Sequence, residues 1–207
     1  QTPREGNPPR GWIATANHRI HAPDYPHYLT NEWASPFRQQ RIEQLLESKL
    51  KHSLNDLREM HADVKSLASL PLLPWLQKAK STHALAAAAH TQMQGFDGTM
   101  AAGRAAPVIY WAWLRQITQG LMADELGASY YERTTAGRQF RDAVEGALAR
   151  NDAWWCDDKT TPAVETCEVQ NDAAFARALD ELQGLLGGDV SKWRWGDVHQ
   201  ARSEHRP

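Results

Sequence analysis

Pro107-Val-Ile-Tyr-Trp-Ala-Trp-Leu114 is the most apolar run in the chain, and it lies inside a helical pattern that extends from Met100 to Leu126. It stops at Arg115, far short of the ~18 apolar residues that a spanning helix needs. The expected reading is a buried helix, with Tyr110, Trp111 and Trp113 packed into a core. Further helices are expected on both sides of it. Ser35-Pro36 is a start signal, because Ser caps free amides and Pro at the first helical position loses no needed donor. Phe37, Ile42, Leu45, Leu46 and Leu50 follow at largely helical spacing. Ser53-Leu-Asn-Asp56 reads as a capping box, with Asp in place of Glu, ahead of Leu57, Met60, Val64, Leu67 and Ala68. Pro71 and Pro74 interrupt, and segments from about Trp75 to Met93, Thr135 to Ala149 and Asn171 to Leu186 read as helical, with Gly95, Gly98, Gly127 and Gly137 as punctuation.

The two ends read differently. Gly11-Trp-Ile-Ala-Thr-Ala16 has strand-type residues after a Pro/Gly-rich lead, so a short strand is expected to deliver Asn17 and His18 at its C-terminal end. Trp193-Arg-Trp-Gly-Asp-Val-His199 reads as a turn entering a second strand. The expected class is mostly α with short β-strands near both ends, in one partial domain over residues 1–207. Such strands would belong to a sheet whose other members lie outside the chain.

With 23 Lys+Arg against 25 Asp+Glu, a formal net charge of -2 and 42% hydrophobic residues, the composition is that of an ordinary globular protein. It carries no electrostatic footprint for nucleic acid and no signature of disorder. Phosphate loops, dinucleotide fingerprints, metalloprotease helices and nucleophile elbows are all missing from the sequence. His83 and His90 could share a helix face but bring no third ligand, so they read as packing residues and no metal is assigned. Cys156 and Cys167 flank a polar loop, and an even count at short separation fits a loop-stapling disulfide; two free cytosolic thiols are the alternative. The first ten residues lack an initiating Met and an apolar signal segment, and the chain stops at His205-Arg-Pro207, so an internal piece of a longer polypeptide is expected.

The N-terminal stretches Gly11-Trp-Ile-Ala-Thr-Ala-Asn17-His-Arg, Asp24-Tyr-Pro26 and Pro36-Phe-Arg38-Gln-Gln-Arg41-Ile-Glu-Gln-Leu-Leu46 resemble the β-chain segment of the penicillin amidase (penicillin acylase) family. The likeness continues through Gly95-Phe-Asp-Gly-Thr-Met100 and Tyr110-Trp-Ala-Trp113, then resumes at Ser191-Lys-Trp-Arg-Trp-Gly196 with His199 and His205 beyond. It runs over nearly the whole chain in the family's order.

This resemblance implies an N-terminal nucleophile hydrolase built as an αββα sandwich. A precursor cuts itself so that a Ser becomes the first residue of the β chain and attacks a linear amide. Its own α-amino group, titrating near pH ~8, serves as general base. The resemblance assigns the oxyanion-binding Asn to Asn17 and the active-site Arg to Arg38, with Arg41 one turn on as the alternative. An amide suits the oxyanion because it donates without titrating; the competing reading of Asn17 is a turn Asn that bonds its own backbone. The chain departs from the pattern in two places. Gln1 is no nucleophile, so this chain alone is expected to be inactive. Some members hold calcium through a carboxylate between the Asn and the Arg, where only Glu32 lies between Pro26 and Arg38, so calcium is not carried over and no cofactor is expected. Partners implied are the remaining β-chain and α-chain segments of the same precursor and a small N-acyl amide of the penicillin, cephalosporin or acyl-homoserine lactone type, without nucleic acid or membrane. A periplasmic location agrees with the proposed disulfide. The rival reading is a non-enzymatic helical binding or scaffold domain, which would show neither amide hydrolysis nor self-cleavage.

Overall fold

Helix supplies all the regular structure in the computed structural model, which describes residues 3–134, 140–201 and 203. Its chain divides into two compact units, with the boundary between Ala68 and Ser69.

In the first unit, α1 (Phe37–Glu47) begins with Pro36 itself in the cap position, one residue later than the Ser35 cap expected. The capping box forms at the next helix, α2 (Leu54–His61): Ser53 Oγ accepts from the Asp56 N–H at 3.2 Å and Asp56 Oδ2 accepts from the Ser53 N–H at 2.8 Å. An ion pair with Lys49 and the Ser53 donors hold the Asp56 carboxyl well below the usual carboxylate range.

The expected strands, and with them the αββα sandwich, are overturned. No strand of two or more residues forms among the described residues. Residues 11–16 are irregular because side chains take the carbonyls that a sheet partner would have taken. Gln39 Nε2 donates to the Ala14 carbonyl and an Arg38 NH2 to that of Ala16. Asn17, at φ +62°, then turns the chain through the left-handed region.

The second unit opens with α3 (Leu73–Lys78), Pro74 sitting harmlessly in its first turn. The helix expected from Trp75 to Met93 breaks at Ala79, where the Lys80 N–H is taken by Asp172 Oδ1 and the Ala79 carbonyl by the His90 ring. Helix resumes as α4 (Ala86–Met93). The long α5 (Ala106–Leu126) carries Pro107 in its first turn and ends at Gly127, φ +73°. It is followed by α6 (Ala128–Thr134), α7 (Phe140–Ala149) and the single turn α8 (Ala153–Cys156). The expected start at Thr135, Gly137 and the C-terminal His205 and Pro207 fall outside the described residues, as does Gln1. Next, α9 (Cys167–Leu186) begins four residues before Asn171, because Thr166 Oγ1 caps it by accepting from the Val169 N–H. At the second expected strand the chain instead makes a 3₁₀ turn, Val190–Lys192, and a short helix α10 (Trp195–Val198). Its Trp195 and Gly196 amides bond to the carbonyls of Arg104 and Ala102.

Ile109, Trp113, Ile117 and Leu121 form the fully buried face of α5, and α9 packs along that helix with Ala174, Phe175, Ala178 and Leu182 buried. Trp113 and Tyr110 enter the core as expected. Trp111 does not: it points about 100° away around the helix, is 42% exposed and stacks on Trp195, which stacks on His199. Buried Asn171 ties three helices together, accepting from Trp113 Nε1 at 2.9 Å and donating to the Trp75 carbonyl at 2.8 Å.

Cys156 and Cys167 are joined by a disulfide, Cα to Cα 4.9 Å, with both cysteines buried. Carboxylates order the loop it closes: Asp157 accepts from the Glu165 N–H, Glu165 from the Asp158 N–H, and Asp124 on α5 from the Lys159 N–H at 2.7 Å. Beside Asp124 lies Glu125, whose carboxyl oxygens are buried without a partner. Burial first, then the Asp124 carboxylate as neighbour, push the Glu125 carboxyl up to about 7. A proton kept on Glu125 turns one of its two oxygens into a donor toward the Asp124 carboxylate.

Replacing Asn171 by Leu strands the Trp113 indole N–H and the Trp75 carbonyl in the core, with an expected loss of about 2–4 kcal/mol in urea denaturation. The raised Glu125 sets a pH dependence as well. Its contribution to stability is complete below the ordinary carboxyl value of 4.5 and is lost as pH rises through about 7. Glu125→Gln keeps a donor at all pH values, so its thermal midpoint relative to the parent should rise more at about pH 8 than at about pH 5; an equal shift at both would place the shared proton elsewhere.

Candidate functional site

Consecutive side chains on the first turn of α1 reach back to the loop that carries Asn17. An Arg38 NH2 donates to the Ala16 carbonyl at 2.9 Å and to Asn17 Oδ1 at 3.0 Å. Gln39 Nε2 donates to the Ala14 carbonyl at 3.1 Å and to Glu43 Oε1, one turn along the helix, at 2.8 Å. Neighbouring helix positions differ by about 100° in direction, so the two side chains grip the loop at separate points. Asn17 returns a bond through its own carbonyl, which accepts from the Ala34 N–H at 2.8 Å and closes the excursion of residues 18–33. Rings of His21, Tyr25 and Trp33 pack inside that excursion.

This arrangement decides which end of the Asn17 amide is presented. A guanidinium only donates, so the oxygen of Asn17 must face Arg38 and the NH2 must face away from it. Asn17 is exposed. Its backbone lies in the left-handed region, which Asn tolerates better than most residues. The result is an outward-facing N–H donor that does not titrate, held by a guanidinium. Such a donor can bind a carbonyl oxygen and hold it more strongly as negative charge develops there.

Asn17 and Arg38, both predicted from the sequence, are therefore brought into contact. Arg41 is not part of the pair. It grips Asp63 in a two-point ion pair, Nε to Oδ1 at 2.9 Å and NH2 to Oδ2 at 2.7 Å. That hydrogen bonding outweighs burial and holds the Asp63 carboxyl below its usual range. Arg38, Arg41 and Asp63 line a groove of about 270 Å³ together with the apolar Phe37, Ile42 and Met60.

The sequence reading missed Gln39, Glu43 and Asp63. The i, i+4 spacing of Gln39 and Glu43 was a visible signal, whereas the Arg41–Asp63 pair spans 22 residues and leaves none. Among the described residues no group of His, Cys, Asp and Glu is arranged to hold a metal ion. His83 Nδ1 accepts from the Leu85 N–H while Nε2 faces Asp180, and His90 bonds the Ala79 carbonyl, so both histidines serve packing and turns. No helix among the described residues is long and apolar enough to cross a membrane.

A model of the penicillin amidase family matches residues 1–207, and the chain belongs to that family. It is similar to particular acylases within it. The acyl-homoserine lactone acylase QuiP of Pseudomonas aeruginosa is 28% identical over 95% of this chain and 26% of its own length. Its counterpart in Pseudomonas syringae pv. syringae is 27% identical over 96% of the chain and 26% of its own length. The penicillin acylase 2 proenzyme of Pseudomonas sp. strain SE83 is 29% identical over 98% of the chain and 26% of its own length. The chain thus spans about a quarter of the length of the curated relatives it matches.

Arg38→Leu removes both bonds to the Ala16–Asn17 corner. Amide hydrogen exchange at Ala34, whose N–H is bonded to the Asn17 carbonyl, should accelerate about tenfold, equivalent to about 1.4 kcal/mol. Arg41→Leu should leave that rate within about twofold, since its partner is Asp63.

Proposed function

We propose that this chain is the part of an acylase that binds the oxyanion during cleavage of a linear amide in an N-acyl compound. The observation that carries the reading is the Arg38–Asn17 bond, which turns the Asn17 NH2 outward at the position where the family resemblance calls for an oxyanion donor. Support for the reaction class comes from family membership and from relatives named as acyl-homoserine lactone and penicillin acylases.

In the proposed reaction, the hydroxyl of an N-terminal Ser on another segment passes its proton to its own α-amine as its oxygen attacks the substrate carbonyl. The carbonyl oxygen becomes an oxyanion and takes a hydrogen bond from Asn17 Nδ2. Collapse of this intermediate breaks the C–N bond, the leaving amine receives the proton from the α-ammonium, and water then cleaves the acyl ester by the same route in reverse. Arg38 does not touch the reacting atoms; it orients Asn17 and adds a positive charge near the developing negative one. Acyl-homoserine lactones are the substrate class to test first, with penicillins and cephalosporins beside them. The other segments of the precursor complete the site, and the proenzyme named among the relatives suits such processing. A periplasmic location fits the buried Cys156–Cys167 disulfide, since that compartment preserves such bonds.

The test is made in the complete processed enzyme. Asn17→Gly removes the donor without straining a backbone at φ +62°. It should lower kcat by about 10²–10³ with much less effect on KM. Activity released by osmotic shock is the companion result expected of a periplasmic enzyme. A kcat within twofold of the parent would remove Asn17 from the mechanism, and a full-length product with neither hydrolysis nor self-cleavage would favour a helical scaffold instead.

A further inference from the structure

Gln39 is the one buried polar side chain described in the first unit, 4% exposed, and it lies beside Arg38 rather than in an apolar core. Both hydrogens of its NH2 are committed to oxygens that only accept, the Ala14 carbonyl and the Glu43 carboxylate. A flipped amide would set its oxygen against both, so the orientation of the group is fixed. Glu43 is therefore a lock: it keeps the donating end of Gln39 on the loop. The Ala14 carbonyl held this way is three residues before Asn17, on the same irregular segment that no sheet stabilises.

We infer that Gln39, locked by Glu43, is a positioning residue for the Asn17 amide: it sets the place of the Ala14–Asn17 loop from which Arg38 then sets the direction of the side chain. The inference rests on the acylase reading above. Arg38 and the Ala34 N–H both hold only the Ala16–Asn17 corner, so without the bond at Ala14 the segment before it can pivot about that corner, and an oxyanion donor loses its effect when displaced by about 1 Å. Gln39 meets neither substrate nor reacting atoms, so its influence must pass through Asn17.

That dependence makes the inference testable by a double-mutant cycle in the complete processed enzyme. Gln39→Met keeps the volume and removes the amide; kcat should fall about tenfold with KM within about twofold. In an Asn17→Gly background the same substitution should change kcat by less than about twofold, because the group it positions is gone. Glu43→Gln, which still offers an oxygen to Gln39, should retain activity, while Glu43→Ala on the half-buried flank of α1 should show a smaller loss with the same disappearance in the Asn17→Gly background. The Glu43 variants carry the test if Gln39→Met fails to yield processed enzyme. An equal fall of kcat in both backgrounds, or no fall in the parent, overturns the positioning role. An unaffected kcat in Asn17→Gly alone removes instead the oxyanion role of Asn17 on which the inference rests.

Discussion

The helical body of the second unit is organised around one buried amide. Asn171 on α9 holds the indole of Trp113 on α5 and the main chain of α3, so one side chain sets the register of three helices from inside the core, while Arg115, Gln116, Arg177 and Glu181 add polar bonds between α5 and α9 nearer the surface. Apolar packing between α5 and α9 supplies much of the favourable free energy, but it is non-directional. A buried polar group with two fixed partners is what makes one arrangement better than its neighbours. The break between α3 and α4 is tied to the same helix, because Asp172, next to Asn171, takes the Lys80 amide. The disulfide at the start of α9 and the carboxylate-bonded loop behind it hold the other side of the helix's N-terminus.

In the first unit the corresponding work is done at the surface, with no sheet among the described residues and little core. Side chains of α1 substitute for a strand partner: they bond the carbonyls of Ala14 and Ala16 and leave the Asn17 NH2 facing out. Position and direction are divided between two residues, one buried and neutral, the other exposed and charged. Arg41, only three residues further, is spent on Asp63 and the stability of the α1–α2 pair.

How much of this was legible in the sequence follows from the range of each interaction. The Ser53–Asp56 box and the Cys156–Cys167 pair are local patterns with a physical signature, and both form. The long α5 was readable from its apolar run, although its face was not: three aromatics within four residues look alike in sequence, and only geometry separates buried Trp113 from half-exposed Trp111. The strands were misread because strand-type residues at 11–16 and 193–199 state a preference, not a partner. Where side chains or a short helix satisfy the main chain first, no ladder forms. Asn17 and Arg38 came from family likeness rather than from spacing, and their contact across 21 residues could not be read from either alone.

The left-handed backbone of Asn17 has a consequence for how this segment tolerates variation. Position 17 faces two demands at once, a positive φ and a side chain that accepts from a guanidinium while still donating on its other side. Gly meets the first demand without the second, Asp meets the first and the accepting half of the second, and Gln carries the right group on a backbone that resists the turn. Asparagine alone meets all of them. Random replacement of residue 17 would therefore yield few variants that keep both the turn and the Arg38 contact, whereas the exposed positions around it carry no such double constraint.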